Sequence, residues 1–242
     1  MNTVVITGAD RNIGLEMCRE FLKRGWKVFA GKFVMELSYM EELQKEYPDL
    51  MEIVPLDCTS LESIQAVAAI VKEKAGKLDM VVHNAAGFGS RGADDICGEF
   101  DFSGFQVSYN INALGAMRLV QTFMPLMEGG KKRFCITSSE AGVVSVSHRD
   151  GVSSYGMSKT ALNMALRLMF NQLQPKGFSF RIYHPGWVRS PKIERDGEAV
   201  QVHGGKFDPW ETAQSAVPQF IEDRTWEDRM VMLDNEGAAW PF

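Results

Sequence analysis

The segment YGMSK places Tyr155 four residues before Lys159. On a helix, positions i and i+4 share one face, so the phenol and the ammonium would sit side by side. A phenol ionises near about pH 10, and an adjacent cation favours the ionised form. The pair is therefore suited to proton transfer. A tyrosine at a helix start with a lysine one turn along also serves packing and surface charge, so the elements that position the pair must decide.

Those elements alternate in type. TVVIT (3–7), KVFAG (27–31), MEIVPL (51–56), LDMVVHN (78–84), RFCITS (133–138), FSFRIYH (178–184) and RMVMLD (229–234) are short β-branched or aromatic runs. Most lack polar alternation, as strands covered on both faces do. Three-to-four periodicity fills 13–24, 36–47, 60–75, 104–127, 155–174 and 209–222. The alternation predicts an α/β fold with a parallel sheet, right-handed crossovers and helices on both sides. No linker or repeat interrupts it, so 1–242 reads as a single domain. The stretch 185–208, rich in Gly, Pro and charge, is expected to be an irregular binding loop or lid.

Composition narrows the function classes. The 242 residues are 45% hydrophobic and 24% charged, with a net charge of −5. That balance suits a soluble globule and gives no footing for a nucleic acid or an anionic membrane. No apolar run approaches the about 20 residues that cross a bilayer, and MNTVVITG lacks a basic leader. Cys18, Cys58, Cys97 and Cys135 show no CxxC spacing and read as reduced thiols of a cytoplasmic protein. His83, His148, His184 and His203 form no ligand motif, so no catalytic metal is expected.

The first strand ends in TGADRNIG (7–14), and a helical pattern follows at once. A glycine-rich turn feeding a helix N-terminus presents free N–H groups and the positive dipole end to a pyrophosphate. Gly8 permits the tight turn and Gly14 the close approach of helix to strand. Asn12 stands where a further glycine is usual, and Asn tolerates the left-handed conformation. In the first strand–turn–helix unit of an α/β chain, this pattern points to a dinucleotide. An acid at the end of the second strand would favour NAD, but AGKF (30–33) has none. Lys32 there and Arg11 in the turn suit a 2′-phosphate, so NADP(H) is favoured, with NAD(H) the alternative. As solvated surface charges the two cations would carry no preference.

Taken together the motifs resemble those of the short-chain dehydrogenase/reductase family, over nearly the whole chain. TGADRNIG is similar to the family's cofactor turn, which assigns Gly8, Arg11, Asn12, Ile13 and Gly14 to the cofactor. LDCTS (56–60) resembles the third-strand motif, placing Asp57 against the adenine with Cys58 beside it. HNAAG (83–87) resembles the NAAG motif, with Asn84, Ala85 and Ala86 at the cofactor. YNINALG (109–115) contains the helix asparagine, Asn112. ITSSEAG (136–142) resembles the serine motif, whose second serine is Ser139; Ser138 is the rival, since adjacent strand residues face opposite ways. HPGWVRS (184–190) resembles the turn beside the nicotinamide, with Pro185, Gly186 and Val188. The 16 positions between Ser139 and Tyr155, and the ending DNEGAAWPF, are similar to the Sniffer-like or C-factor-like carbonyl-reductase branch.

The resemblance implies a Rossmann-like, doubly wound sheet of about seven strands. It also implies hydride transfer between a nicotinamide and a carbonyl or secondary alcohol. Hydride attack leaves developing charge on the carbonyl oxygen, which needs a hydrogen-bond donor and then a proton. By resemblance Tyr155 donates that proton, and Ser139 polarises the substrate oxygen. Lys159 favours the phenolate and reaches the nicotinamide ribose, so Tyr155 and Lys159 also touch the cofactor. Asn112 holds a water linking Lys159 to solvent. Phe88, Trp187, Phe207 and Trp210 either line a lid over an apolar substrate or anchor their loops. A homodimer or homotetramer is likewise implied. The competing reading is a catalytically silent NAD(P)-binding sensor, favoured by Asn12 and opposed by the retention of Tyr155 and Lys159.

Overall fold

The apolar runs become β1 (Thr3–Ile6), β2 (Lys27–Lys32), β3 (Met51–Pro55), β4 (Met80–His83), β5 (Arg133–Thr137) and β6 (Ser179–Tyr183) in a computed structural model. It describes residues 1–89, 93–189, 192–195, 198–201, 204–224 and 227–241; His203 and parts of 185–208 lie outside them. Between the strands run α1 (Asn12–Lys23), α2 (Tyr39–Glu46), α3 (Leu61–Ala75), α4 (Gly104–Tyr109), α5 (Gly115–Phe123) and α6 (Ser153–Leu173). The strands pair in parallel in the order β3-β2-β1-β4-β5-β6. That order reverses direction at β1, which opens a crevice at the carboxyl ends of β1 and β4.

Successive residues of one strand enter two separate cores. Val5 joins the cluster formed with α3, α5 and α6, including Val67, Leu119 and Leu166. Val4 and Ile6 join the cluster formed with α1 and α7 (Pro209–Ile221), including Phe21, Val217 and Phe220. Burial on both faces explains why the strand runs show no polar alternation.

Three features depart from the sequence expectation. The stretch 185–208 contains an antiparallel ribbon, β7 (Lys192–Arg195) with β8 (Glu198–Gln201), where an irregular loop was expected. Main-chain pairing needs no apolar pattern, so nothing in these residues announced it. Among the described residues the main sheet has eight strands, in keeping with the about seven expected. β9 (Met232–Leu233) lies within the run 229–234 read as a strand and runs parallel to β6; the further strand β10 (Ala239–Trp240) folds back antiparallel to β9, and its two residues are too few for a periodicity. The single helix expected over 104–127 is broken by a π turn at Asn110–Leu114, between α4 and α5. Such single-turn insertions keep apolar spacing nearly helical while re-aiming one side chain, here Asn112. Among the described residues no helix is long and apolar enough to cross a membrane.

His83 braces this crevice. Thr7 Oγ1 accepts from the N–H groups of Asn84 at 3.1 Å and Ala85 at 3.0 Å. Its own proton is then free to donate to His83 Nδ1, 3.2 Å away. The neutral tautomer follows, with Nε2–H donating to the Asn112 carbonyl at 3.3 Å. Burial, with the nearby Lys159 charge, depresses the His83 pKa from 6.5 to about 4, opposed by the backbone hydrogen bonds. The folded state therefore binds the proton less readily than the unfolded chain. The stability contributed by neutral His83 is fully present above about pH 6.5 and is lost as pH falls toward 4, a change on the order of 3 kcal/mol. Urea midpoints should fall between pH 7 and pH 4.5, and His83→Asn should show a shallower fall. Equal slopes for the two proteins would remove His83 as the source.

Candidate active site

The turn from β1 into α1 is shaped by absent side chains. Gly8 has φ 61°, and a Cβ there would lie 2.8 Å from Ala85 Cα. A Cβ on Gly14 would lie 2.0 Å from the Gly8 carbonyl oxygen. Asn12 adopts φ 57°, the left-handed conformation that a glycine would supply. Its Oδ1 is buried with no protein partner, at the start of a 12-residue helix whose first N–H groups are unpaired. An open cradle at a helix N-terminus, lined by an orphaned polar atom, fits the pyrophosphate of a dinucleotide. Arg11 is exposed at this end, and Ile13 packs against the core behind it.

The neighbouring segments close round the cradle. Asn84 Nδ2 donates to the Gly8 carbonyl at 3.2 Å, and Ala86 is exposed beyond it. Asp57 Oδ1 accepts from Thr59 N and Oγ1, each at 2.8 Å, which shapes the turn after β3. Burial pushes the Cys58 thiol up to about 12, so it packs without reacting. Gly186 has φ 67°, and Pro185 O accepts from Asn235 Nδ2 at 2.6 Å. Val188 bridges to Phe207, whose ring covers Gly186.

Lys32 is not a free cation. Its ammonium lies 2.5 Å from Glu41 Oε1, and Lys32 is 7% exposed. The Lys32 hydrogen bond is the main cause holding the Glu41 carboxyl below its usual range, and Glu41 Oε2 is buried with no protein partner. Glu41 therefore supplies from α2 the acid that is missing from the end of β2. Asp10 Oδ1 fastens this corner, accepting from Phe33 N at 2.7 Å and Val34 N at 2.8 Å.

Tyr155 and Lys159 meet beside the cradle, at the carboxyl end of β5. Lys159 is 1% exposed; its Nζ donates to the Thr137 carbonyl at 2.9 Å and lies 5.6 Å from the Tyr155 ring centre. Thr137 Oγ1 donates to Asn84 Oδ1 at 3.4 Å, so a hydrogen-bonded chain links cradle to lysine. Ser138 turns inward and donates to Asn163 Oδ1 at 2.7 Å. Ser139 lies on the side of the phenol, whose ionised form it favours. The pleat thus separates the two serines. Asn112 is fully committed: Oδ1 accepts from Gly87 N at 2.9 Å, and Nδ2 donates to Gly87 O and Ser158 Oγ, each at 2.8 Å.

The electrostatics correct one expectation. Burial pushes the Tyr155 phenol up to about 12, against the Ser139 hydrogen bond, with the Glu140 charge adding to the rise. Burial likewise depresses Lys159 to about 7. Two desolvated neighbours both drift toward neutrality, and the ammonium is aimed at Thr137 rather than at the phenol oxygen. Lys159 does not, within the protein alone, bring the phenol toward neutral pH.

Sequence reasoning left the place of Phe88 open and missed Glu140. Phe88 was grouped with the loop aromatics, yet its ring stacks on Tyr155 at 4.4 Å between centroids and 15° between planes. Trp187 and Trp210 remain exposed. Glu140 follows Ser139 directly in SSEAG and accepts its proton at 2.7 Å, a neighbour whose type was the one available signal.

The fold and motifs have counterparts. The family model described as short chain dehydrogenase matches residues 2–200. An uncharacterized oxidoreductase of Schizosaccharomyces pombe is 30% identical over 238 residues, covering 95% of this chain and 89% of that protein. The NADPH-bound carbonyl reductase from chicken fatty liver superposes with a TM-score of 0.81 at 26% identity, over 100% of this chain and 99% of that one. A Burkholderia multivorans protein crystallised with bound NADP gives 0.80 at 26% identity, over 98% of each chain.

Proposed function

Because the chain belongs to the short chain dehydrogenase family, we propose that its oxidoreductase chemistry is hydride transfer between NADP(H) and a carbonyl or secondary alcohol. Tyr155 is the acid and base. One observation carries the reading: the phenol, the Ser139 hydroxyl and the buried Lys159 ammonium converge beside an open glycine cradle.

Gly8, Asn12 and Gly14 would hold the pyrophosphate, and Asn84 and Lys159 would face the nicotinamide ribose. When bound, the nicotinamide exchanges the hydride and, in its oxidised form, carries positive charge. Tyr155 supplies the proton in reduction and receives it in oxidation. A nearby positive charge offsets the desolvation that raises the phenol. Phe88 covers one face of the Tyr155 ring. The segment 185–208 acts as the lid. Tyr155→Phe should lower turnover by roughly 10²–10⁴-fold while leaving NADPH affinity nearly unchanged, measured by initial rates and by nucleotide fluorescence. Undiminished turnover would remove Tyr155 from the mechanism.

NADP(H) is favoured by the presence of Arg11 in the turn and Lys32 at the end of β2 and by the NADP(H)-bound proteins of similar fold. Glu41 opposes it, because its carboxylate offsets the Lys32 charge. Glu41→Gln should raise the kcat/KM ratio of NADPH to NADH roughly tenfold, and Lys32→Ala should lower it. Unchanged ratios in both variants would locate the discrimination elsewhere.

Self-association completes the reading. Val107, Tyr109, Met117, Met164 and Leu168 expose apolar side chains on α4, α5 and α6. Exposed apolar groups clustered on neighbouring helices suit a two-fold interface. Light scattering should give a multiple of the chain mass, and Met164→Glu with Leu168→Glu should reduce it. A monomeric parent protein would end this part of the proposal.

A further inference from the structure

On the proposed reading, the Pro185–Gly186 turn stands beside the nicotinamide. Its anchor comes from the other end of the chain. Asn235, just past β9, donates from Nδ2 to the Pro185 carbonyl at 2.6 Å. Its Oδ1 accepts from the hydroxyl of Tyr183, the last residue of β6. The amide cannot be turned over, because a carbonyl only accepts and so the nitrogen must face Pro185. The Tyr183 hydroxyl also lies 3.1 Å from the Thr212 carbonyl. That carbonyl sits inside α7, where the helix ladder already serves it, which leaves the Tyr183 proton to Asn235.

The surroundings give the Asn235 amide little freedom. Ser215 Oγ donates to the Asn235 carbonyl at 2.6 Å, and Gln219 Nε2 donates to the Asp234 carbonyl at 2.9 Å, so α7 holds the backbone. Asp234 Oδ1 accepts from Glu236 N and Ala238 N, each at 2.9 Å. Its Oδ2 accepts from Trp240 Nε1 at 2.9 Å, which closes the hairpin between β9 and β10. His184 N donates to Leu233 O at 2.8 Å, fastening the residue before the turn to the same strand. A peptide is planar and trans, so drawing the Pro185 oxygen toward Asn235 aims the Gly186 N–H the opposite way. A Cβ on Gly186 would lie 2.8 Å from the Phe207 ring and 3.5 Å from Asn235 Nδ2. The turn is held between these two side chains.

We propose that Asn235 is a positioning residue for hydride transfer: it fixes the plane of the Pro185–Gly186 peptide and so the surface that this turn presents to the nicotinamide. The glycine cradle, which would take the pyrophosphate, is built by other residues. Loss of the Asn235 donor therefore acts on the nicotinamide end of the cofactor and spares the adenine end. A displacement of about 1 Å at reacting atoms can slow a reaction by roughly 10²-fold.

This role rests on the reading of the crevice as a nicotinamide site, and the test separates the two. Asn235→Asp keeps the size and the acceptor for Tyr183 and removes the donor to Pro185. Calorimetry on the whole protein should show adenosine 2′,5′-bisphosphate, which lacks the nicotinamide, bound as tightly as by the parent. NADPH should bind roughly threefold to tenfold more weakly. With a ketone that the parent reduces and NADPH deuterated at the transferred hydrogen, the primary isotope effect on kcat should rise. Tyr183→Phe frees the same amide from its other side and should shift both readouts in the same direction by less. Trp240→Phe removes a bond from the same hairpin but leaves the amide in place, so it should keep the parent values. Equal weakening of both ligands in Asn235→Asp, or the same NADPH loss in Trp240→Phe, would make Asn235 a general brace of the fold and overturn the proposal. Parent NADPH affinity and isotope effect in both Asn235→Asp and Tyr183→Phe would overturn it and leave the nicotinamide reading intact. If the parent protein binds no nicotinamide nucleotide, both fall.

Discussion

The hydrogen bond from the Lys159 ammonium to the Thr137 carbonyl is the constraint on which the site rests. A charge with almost no exposed surface must be bonded or must shed its proton, and a carbonyl at the end of a strand is an acceptor in need of a donor. The bond ties the first turns of α6 to the end of β5. It thereby sets where Tyr155, one turn earlier, meets Ser139, two residues past Thr137. Gly142 makes the approach feasible, because a Cβ there would fall 2.7 Å from the Lys159 carbonyl carbon.

Desolvation governs the interior of the crevice, and ion pairs govern its rim. Tyr155, Lys159 and His83 are each driven toward the neutral form by burial. Around them stand Lys32 with Glu41, Glu140 with Arg149, and Arg189 with Asp208. A neutral, low-dielectric centre responds strongly to any charge brought into it. In each rim pair an acid stands beside a base.

Much of this was legible in the residues because it depends on local rules. Period-two and period-3.6 patterns reflect burial of strand and helix faces, and those burials are what the two cores contain. Asn12 could be read as a stand-in for glycine because backbone sterics are local, and it has φ 57°. The choice between Ser138 and Ser139 stayed open until the pleat direction was known. Lys32 was read as available because Glu41, nine residues on, is recruited by the packing of α2. The π turn and the two-residue β10 were invisible, since neither leaves a periodic trace.

By itself, the sequence determined the succession of elements, the glycine-rich profile of the first turn and the i, i+4 spacing of Tyr155 with Lys159. Each of these is a property of neighbours along the chain, where covalent geometry limits the choices. Tertiary structure alone decided the partners of Lys32, the sharing of the Ser139 proton with Glu140 and the upward drift of the phenol. Those outcomes depend on which groups from distant segments exclude water from one another, and solvent exclusion is a property of the assembled volume.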